Sequence, residues 1–93
     1  MVVAVLKISL SIPHAGSLKD KRRVLKSVKD KLRNKYNISI AEIGDQDIWK
    51  TARLGIAIVS SDSAYANGVI SRVQDLCANL REAIMTECEL EWR

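Results

Sequence analysis

Apolar residues recur at every second position from residue 2 to 12, then at helical spacing from Leu18 to Tyr36. Both spacings return downstream, and this order of hydrophobic periods restricts the fold more than anything else in the chain. In residues 2–12, Ala4, Leu6, Ile8, Leu10 and Ile12 lie on one side, with Val3, Val5, Lys7, Ser9 and Ser11 on the other, the pattern of a strand. Pro13-His14-Ala15-Gly16 breaks it. Ser17 suits a helix N-cap, Asp20 suits the positive end that follows, and Leu18, Leu25, Val28, Leu32 and Tyr36 give an amphipathic helix over 18–36.

After the terminator Asn37, the residues Ile38, Ile40 and Ile43 indicate a second strand, with Gly44-Asp45-Gln46-Asp47 as a polar turn. Residues 52–60 form a third strand, with Leu54, Ile56 and Ile58 on one face and Gly55, Ala57 and Val59 on the other. Ser61 or Asp62 caps a second helix, whose apolar face runs through Val69, Ile70, Val73, Leu76, Cys77, Leu80 and Ile84. Gly68 weakens its start by about 1 kcal/mol relative to alanine. Cys88, Leu90 and Trp92 alternate with Glu87, Glu89 and Glu91 as an edge strand. With right-handed crossovers, βαββαβ closes as a ferredoxin-like plait, an α+β fold with a four-stranded antiparallel sheet and two helices on one face. Its central strands are the first and third, and residues 1–93 make a single domain.

The charge is unevenly spread. Residues 17–36 hold nine basic and two acidic groups of the chain's fifteen and eleven, leaving a mildly acidic remainder. With Leu18 at zero and about 100° per residue, Val24, Leu25, Val28, Leu32 and Tyr36 fall between about 240° and 360°. Lys19, Arg22, Arg23, Lys26, Lys29 and Arg33 fall between about 20° and 140°. Charge serving solubility alone would be mixed in sign. A stripe of one sign, interrupted mainly by Asp30, suits a phosphate backbone, and an over-charged solvated face is the competing explanation. Lys21, Lys31 and Lys35 lie on or beside the apolar arc, where their stems are expected to snorkel.

Two helices cover one face of such a sheet. The other face would carry Val3, Val5, Ala41, Ile43, Gly55, Ala57 and Val59. An apolar patch of that extent suits self-association as a homodimer, although scattered surface aliphatics are also normal. Neither central strand has an aromatic residue, which argues against stacking of bases on the sheet.

Other chemistry finds little support. Glu42, Asp45 and Asp47 cluster around the hairpin turn and could hold Mg²⁺, but turns use such residues for their own hydrogen bonds. His14 has no evident partner, and Gly16 stands alone rather than in a phosphate-binding loop. Trp49 is expected to cover an edge of the core. Cys77 and Cys88 form no CxxC pair and fall on apolar faces, as buried thiols do; a bridge between them stays open at this point. No apolar run reaches the length of a bilayer span, and VVAVLKISLSI has no basic leader. The expectation is a cytoplasmic protein that is not an enzyme and has no cofactor or resident metal.

SLKDKRRVLKS (17–27), NISIAEIGDQDIW (37–49) and ARLGIAIVS (52–60) together resemble the YlxP-like family of small bacterial proteins. That resemblance implies a ferredoxin-like fold and a bacterial cytosolic protein without an established biochemical role. Its genes tend to neighbour those for translation initiation and ribosome maturation. By analogy this favours an RNA or ribosomal particle as the partner of the basic helix. The alternative is a protein-interaction module that dimerises through its sheet.

Overall fold

Strands β1 (Val2–Ser11) and β3 (Thr51–Ser60) pair antiparallel along their full length, from Val2 opposite Ser60 to Ser11 opposite Thr51. They form the centre of a four-stranded antiparallel sheet in the computed structural model, which describes all of residues 1–93. β2 (Ser39–Gly44) flanks β3, and β4 (Ile84–Trp92) flanks β1, giving the order β2-β3-β1-β4. Helix α1 (Leu18–Lys35) connects β1 to β2, and α2 (Ser63–Ala78) connects β3 to β4. This is the ferredoxin-like βαββαβ arrangement.

The period-two pattern becomes the core directly. Ala4, Leu6, Ile8 and Leu10 of β1 and Ala52, Leu54, Ile56 and Ile58 of β3 point to one side. They merge with Val24, Leu25, Val28 and Leu32 of α1 and with Ala66, Val69, Ile70, Val73 and Cys77 of α2 in one cluster of 21 buried residues. Both helices therefore cover the same face. Ser17 caps α1, its hydroxyl accepting from the Asp20 N–H at 3.1 Å, while Asp20 Oδ2 accepts from the Gly16 N–H at 3.0 Å. Asp62, rather than Ser61, caps α2 by accepting from the Ala64 N–H at 3.1 Å.

Two sequence expectations change here. α2 stops at Ala78 with Asn79 as its cap, so Leu80 and Ile84 do not continue its apolar face. Ile84 instead opens β4 opposite Ser11, half-exposed, because a short apolar run fits the helical and strand periods equally well. A register shift between Ser9 and Leu10 leaves Thr86 as the extra residue of β4. Beyond it Cys88, Leu90 and Trp92 face Ile8, Leu6 and Ala4, as the alternation predicts. Trp49 is the second change. It is 50% exposed in the turn before β3 and lies outside the core cluster, so it covers no core edge.

Candidate nucleic-acid interface

Helix α1 presents its cations as its periodicity dictates, because Val24, Leu25, Val28 and Leu32 anchor the opposite side in the core. Lys19, Arg22, Arg23, Lys26 and Arg33 are exposed, and Lys29 is half-buried. Arg22, Lys26, Lys29 and Arg33 line a groove of about 370 Å³ between α1 and β2, with Asp30 and Glu42 in its wall. Arg33 donates to the Ile40 carbonyl at 3.1 Å, which ties the end of α1 to β2.

The six cations are not equally available. Lys26 donates to Asp30 at 2.8 Å, and Arg23 leans toward Glu82 in the segment between α2 and β4 at 3.4 Å. The Lys26 hydrogen bond, joined by the charges of Lys26 and Arg33, holds the Asp30 carboxyl below its usual range against an opposing desolvation. Lys19, Arg22 and Lys29 have no partner within the chain. Three free cations and three tethered ones therefore make up the stripe, and the structure brings four of the six to a single groove.

Lys21 corrects the sequence reading. It does not snorkel but is fully buried. Its ammonium donates to the carbonyl oxygens of Asp45 at 2.6 Å and Thr51 at 3.1 Å, with Gln46 O at 3.5 Å. It also stands 2.9 Å from Glu42 Oε2, an ion pair whose direction misses hydrogen-bond geometry. The signal was present in the sequence: Lys21 lies at about 300° on the helical wheel, in the middle of the apolar arc. Lys31 and Lys35 are exposed.

The turn carboxylates are occupied with this arrangement. Glu42 faces Lys21, and Asp45 Oδ2 accepts from the Thr51 hydroxyl at 3.0 Å. Asp47 points to solvent, and no three His, Cys, Asp or Glu side chains converge. Cys77 is buried and Cys88 half-buried, both as free thiols. Burial pushes the Cys77 thiol up to about 11, with Cys88 adding to the effect.

The open face of the sheet has two unlike halves. Val3 lies opposite Val59, Val5 opposite Ala57, and Ala41 opposite Gly55. A shallow groove of about 350 Å³ runs between Val5, Ala41, Ile43 and Ala57. Ile43 lies over Gly55, where an added Cβ would come within 2.9 Å of its Cγ2. On the far side, Glu91, Glu89 and Glu87 of β4 stand opposite Val5, Lys7 and Ser9. Lys7 reaches Glu91 at 3.2 Å and Arg93 reaches it at 2.7 Å, which together hold the Glu91 carboxyl below its usual range. All seven residues that parity assigned to this face lie on it, but parity did not reveal the acidic border.

Comparison with known proteins adds the following. Residues 3–90 match the family described as "Protein of unknown function (DUF503)". The chain is 42% identical over 78 residues to "Uncharacterized protein YlxP" of Bacillus subtilis strain 168, covering 84% of this chain and 85% of that one. Among solved structures, the de novo designed protein Foldit4 is similar at a TM-score of 0.52 and 13% identity, covering 100% of this chain and 97% of the design. A second design, LFR1 1, with ferredoxin fold, gives a TM-score of 0.47 and 16% identity over 100% of this chain and 84% of its own. At such identities the likeness to Foldit4 is one of fold alone.

Proposed function

The chain belongs to the DUF503 family of proteins of unknown function, and from that premise we propose that it is a non-enzymatic, cytoplasmic RNA-binding protein associated with ribosomal particles. Helix α1 contacts the phosphate backbone through Lys19, Arg22, Arg23, Lys26, Lys29 and Arg33. The observation that carries this reading is the trio of unpaired cations, Lys19, Arg22 and Lys29, beside a groove lined by four members of the stripe. Like charges held together on one helix repel one another, and a polyanion relieves that repulsion while releasing its own counterions. Backbone contacts carry little sequence information, so affinity varies little among unrelated RNAs.

The deciding experiment measures binding of a short fluorescent RNA across a salt series. About four phosphates contacted give a log–log slope near −3 on single strands. The triple variant Arg22→Glu/Arg23→Glu/Lys26→Glu folds as the parent does but retains no RNA. Sedimentation of cell extract in low and high salt tests the ribosomal part, with the protein travelling with particles only in low salt. A wild type that retains no RNA at 50 mM salt ends this reading.

A second reading is a homodimer that packs sheet against sheet. Its support is the apolar groove of Val5, Ala41, Ile43 and Ala57 together with the exposed Val59. A two-fold axis parallel to the strands sets the glutamates of β4 over β2 and β3 of the second copy, near Arg53, instead of over its β4. The two readings use opposite faces and are compatible.

A further inference from the structure

A notch opens where β3 outruns its neighbour. The first pair between the two strands is Ser39 with Ala57, so Ile58, Val59 and Ser60 extend beyond β2 and leave an unpaired strand edge. The chain leaving α1 passes this edge as Lys35-Tyr36-Asn37, and α2 brings Tyr65 from its first turn and Arg72 from two turns further on. Together they enclose a cavity of about 210 Å³. That is below the roughly 300 Å³ at which pockets for drug-sized ligands begin, and it suits a single ring system.

Its lining differs from the groove beside β2. No acidic residue borders it, and Lys35 and Arg72 have no ion-pair or hydrogen-bond partner within the chain. The Arg72 guanidinium lies back over Gly68, where a Cβ would stand 3.9 Å from its Nη1. Tyr65 is 65% exposed although aromatic, while Tyr36 packs partly against the core. Two aromatic rings, two free cations, the Asn37 amide and an open main-chain edge are the groups that bind an unstacked nucleotide: a flat surface for the base, donors and acceptors for its edge, and positive charge for its phosphate.

We propose that this notch holds one nucleotide of a single-stranded RNA, with the base against Tyr65 and the phosphate between Lys35 and Arg72. The proposal rests on the RNA reading of α1 and adds what the stripe lacks, a means of telling single strands from duplex. Lys35 ends the helix that carries the stripe, about 20 Å along the axis from Arg22 at 1.5 Å per residue. Lys35 falls at about 260° on the helical wheel and the stripe between about 20° and 140°. A strand lying along the stripe therefore turns round the end of α1 to reach the notch. The central strands supply no aromatic ring to this stacking, and β3 contributes its open edge alone.

The test has two arms. In the first, a fluorescent octaribonucleotide and a blunt RNA duplex are titrated with wild type, Tyr65→Phe and Tyr65→Ala, with circular dichroism as the check on folding. Tyr65→Ala weakens single-strand binding about tenfold, the order expected for one lost stacking aromatic. Its duplex affinity is unchanged, and Tyr65→Phe stays close to wild type. In the second arm, adenosine 5′-monophosphate and inorganic phosphate are added to labelled protein at millimolar concentration. The mononucleotide shifts the amides of Asn37, Val59 and Tyr65, in wild type and in Arg22→Glu/Lys29→Glu alike, and inorganic phosphate does not. The notch is overturned if the mononucleotide moves those amides no more than phosphate does, or if Tyr65→Ala binds the octamer as tightly as wild type binds it. Amide shifts from the mononucleotide in a protein that retains no RNA polymer would end the stripe reading and leave the notch standing.

Discussion

The buried ammonium of Lys21 stands 2.6 Å from the carbonyl oxygen of Asp45, twenty-four residues further along the chain. Asp45 adopts a left-handed backbone at φ 59°, which an aspartate tolerates better than most residues, and its carbonyl also accepts from the Ile48 N–H at 3.0 Å. Lys21 thereby fastens the β2–β3 turn to the first turns of α1. Lys50 makes a similar tie nearby, donating to Pro13 at 2.7 Å and Ala15 at 3.1 Å.

Lys21→Met preserves the volume but leaves Glu42 facing an apolar neighbour and the turn carbonyls without their donor. Removing one partner of a buried pair typically costs about 3 kcal/mol or more, and chemical denaturation measures it. Lys21→Met/Glu42→Gln recovers part of the loss. A variant as stable as wild type would show that the turn holds itself.

Asp30 is the acid that interrupts the stripe. Its folded-state carboxyl is held low, first by the Lys26 hydrogen bond, so its stabilising charge is present above the ordinary carboxylate range and is lost only as pH falls through the lowered value. RNA affinity therefore shows no Asp30 titration between about pH 7 and 5. Asp30→Asn frees Lys26 and tightens RNA binding about two- to fivefold at low salt, with less gain at high salt. Fluorescence anisotropy at two ionic strengths reads both effects.

The sheet-face reading is tested by light scattering at micromolar protein. Wild type runs as a dimer and Val5→Lys as a soluble monomer. Gly55→Ala drives Ile43 from its seat, because the new methyl would come within 2.9 Å of Ile43 Cγ2. It weakens the dimer, and Ile43→Ala beside it restores room. A wild-type monomer leaves this face to solvent.

The cysteines separate by reactivity. Cys77 is buried with its thiol pushed up to about 11, and Cys88 is half-buried, accepting a weak contact from the Gln74 amide at 3.4 Å. At pH 8, iodoacetamide alkylates Cys88 well before Cys77, followed by mass spectrometry. Because the folded pKa of Cys77 is raised, the unfolded chain loses this proton first as pH climbs past the ordinary thiol range. Stability therefore falls between about pH 9 and 11, and Cys77→Ala is less stable at pH 7 but shows a shallower fall.

The sequence by itself determined the order of elements, the helix cap at Ser17, the faces of β1, β3 and α1, and the parity of the open face. Each depends on the spacing of neighbouring residues, and a period of two or 3.6 is a local property. Only tertiary structure decided the rest. Ile84 became a strand residue because pairing with Ser11 won over a helical spacing that suited it equally. Lys21 became a buried tie because a turn from another part of the chain delivered its carbonyls to the apolar arc. Tyr36, Tyr65 and Arg72 came together because β2 starts too late to cover the end of β3. Contacts between residues far apart in the chain follow from the packing of whole elements, which no local period encodes.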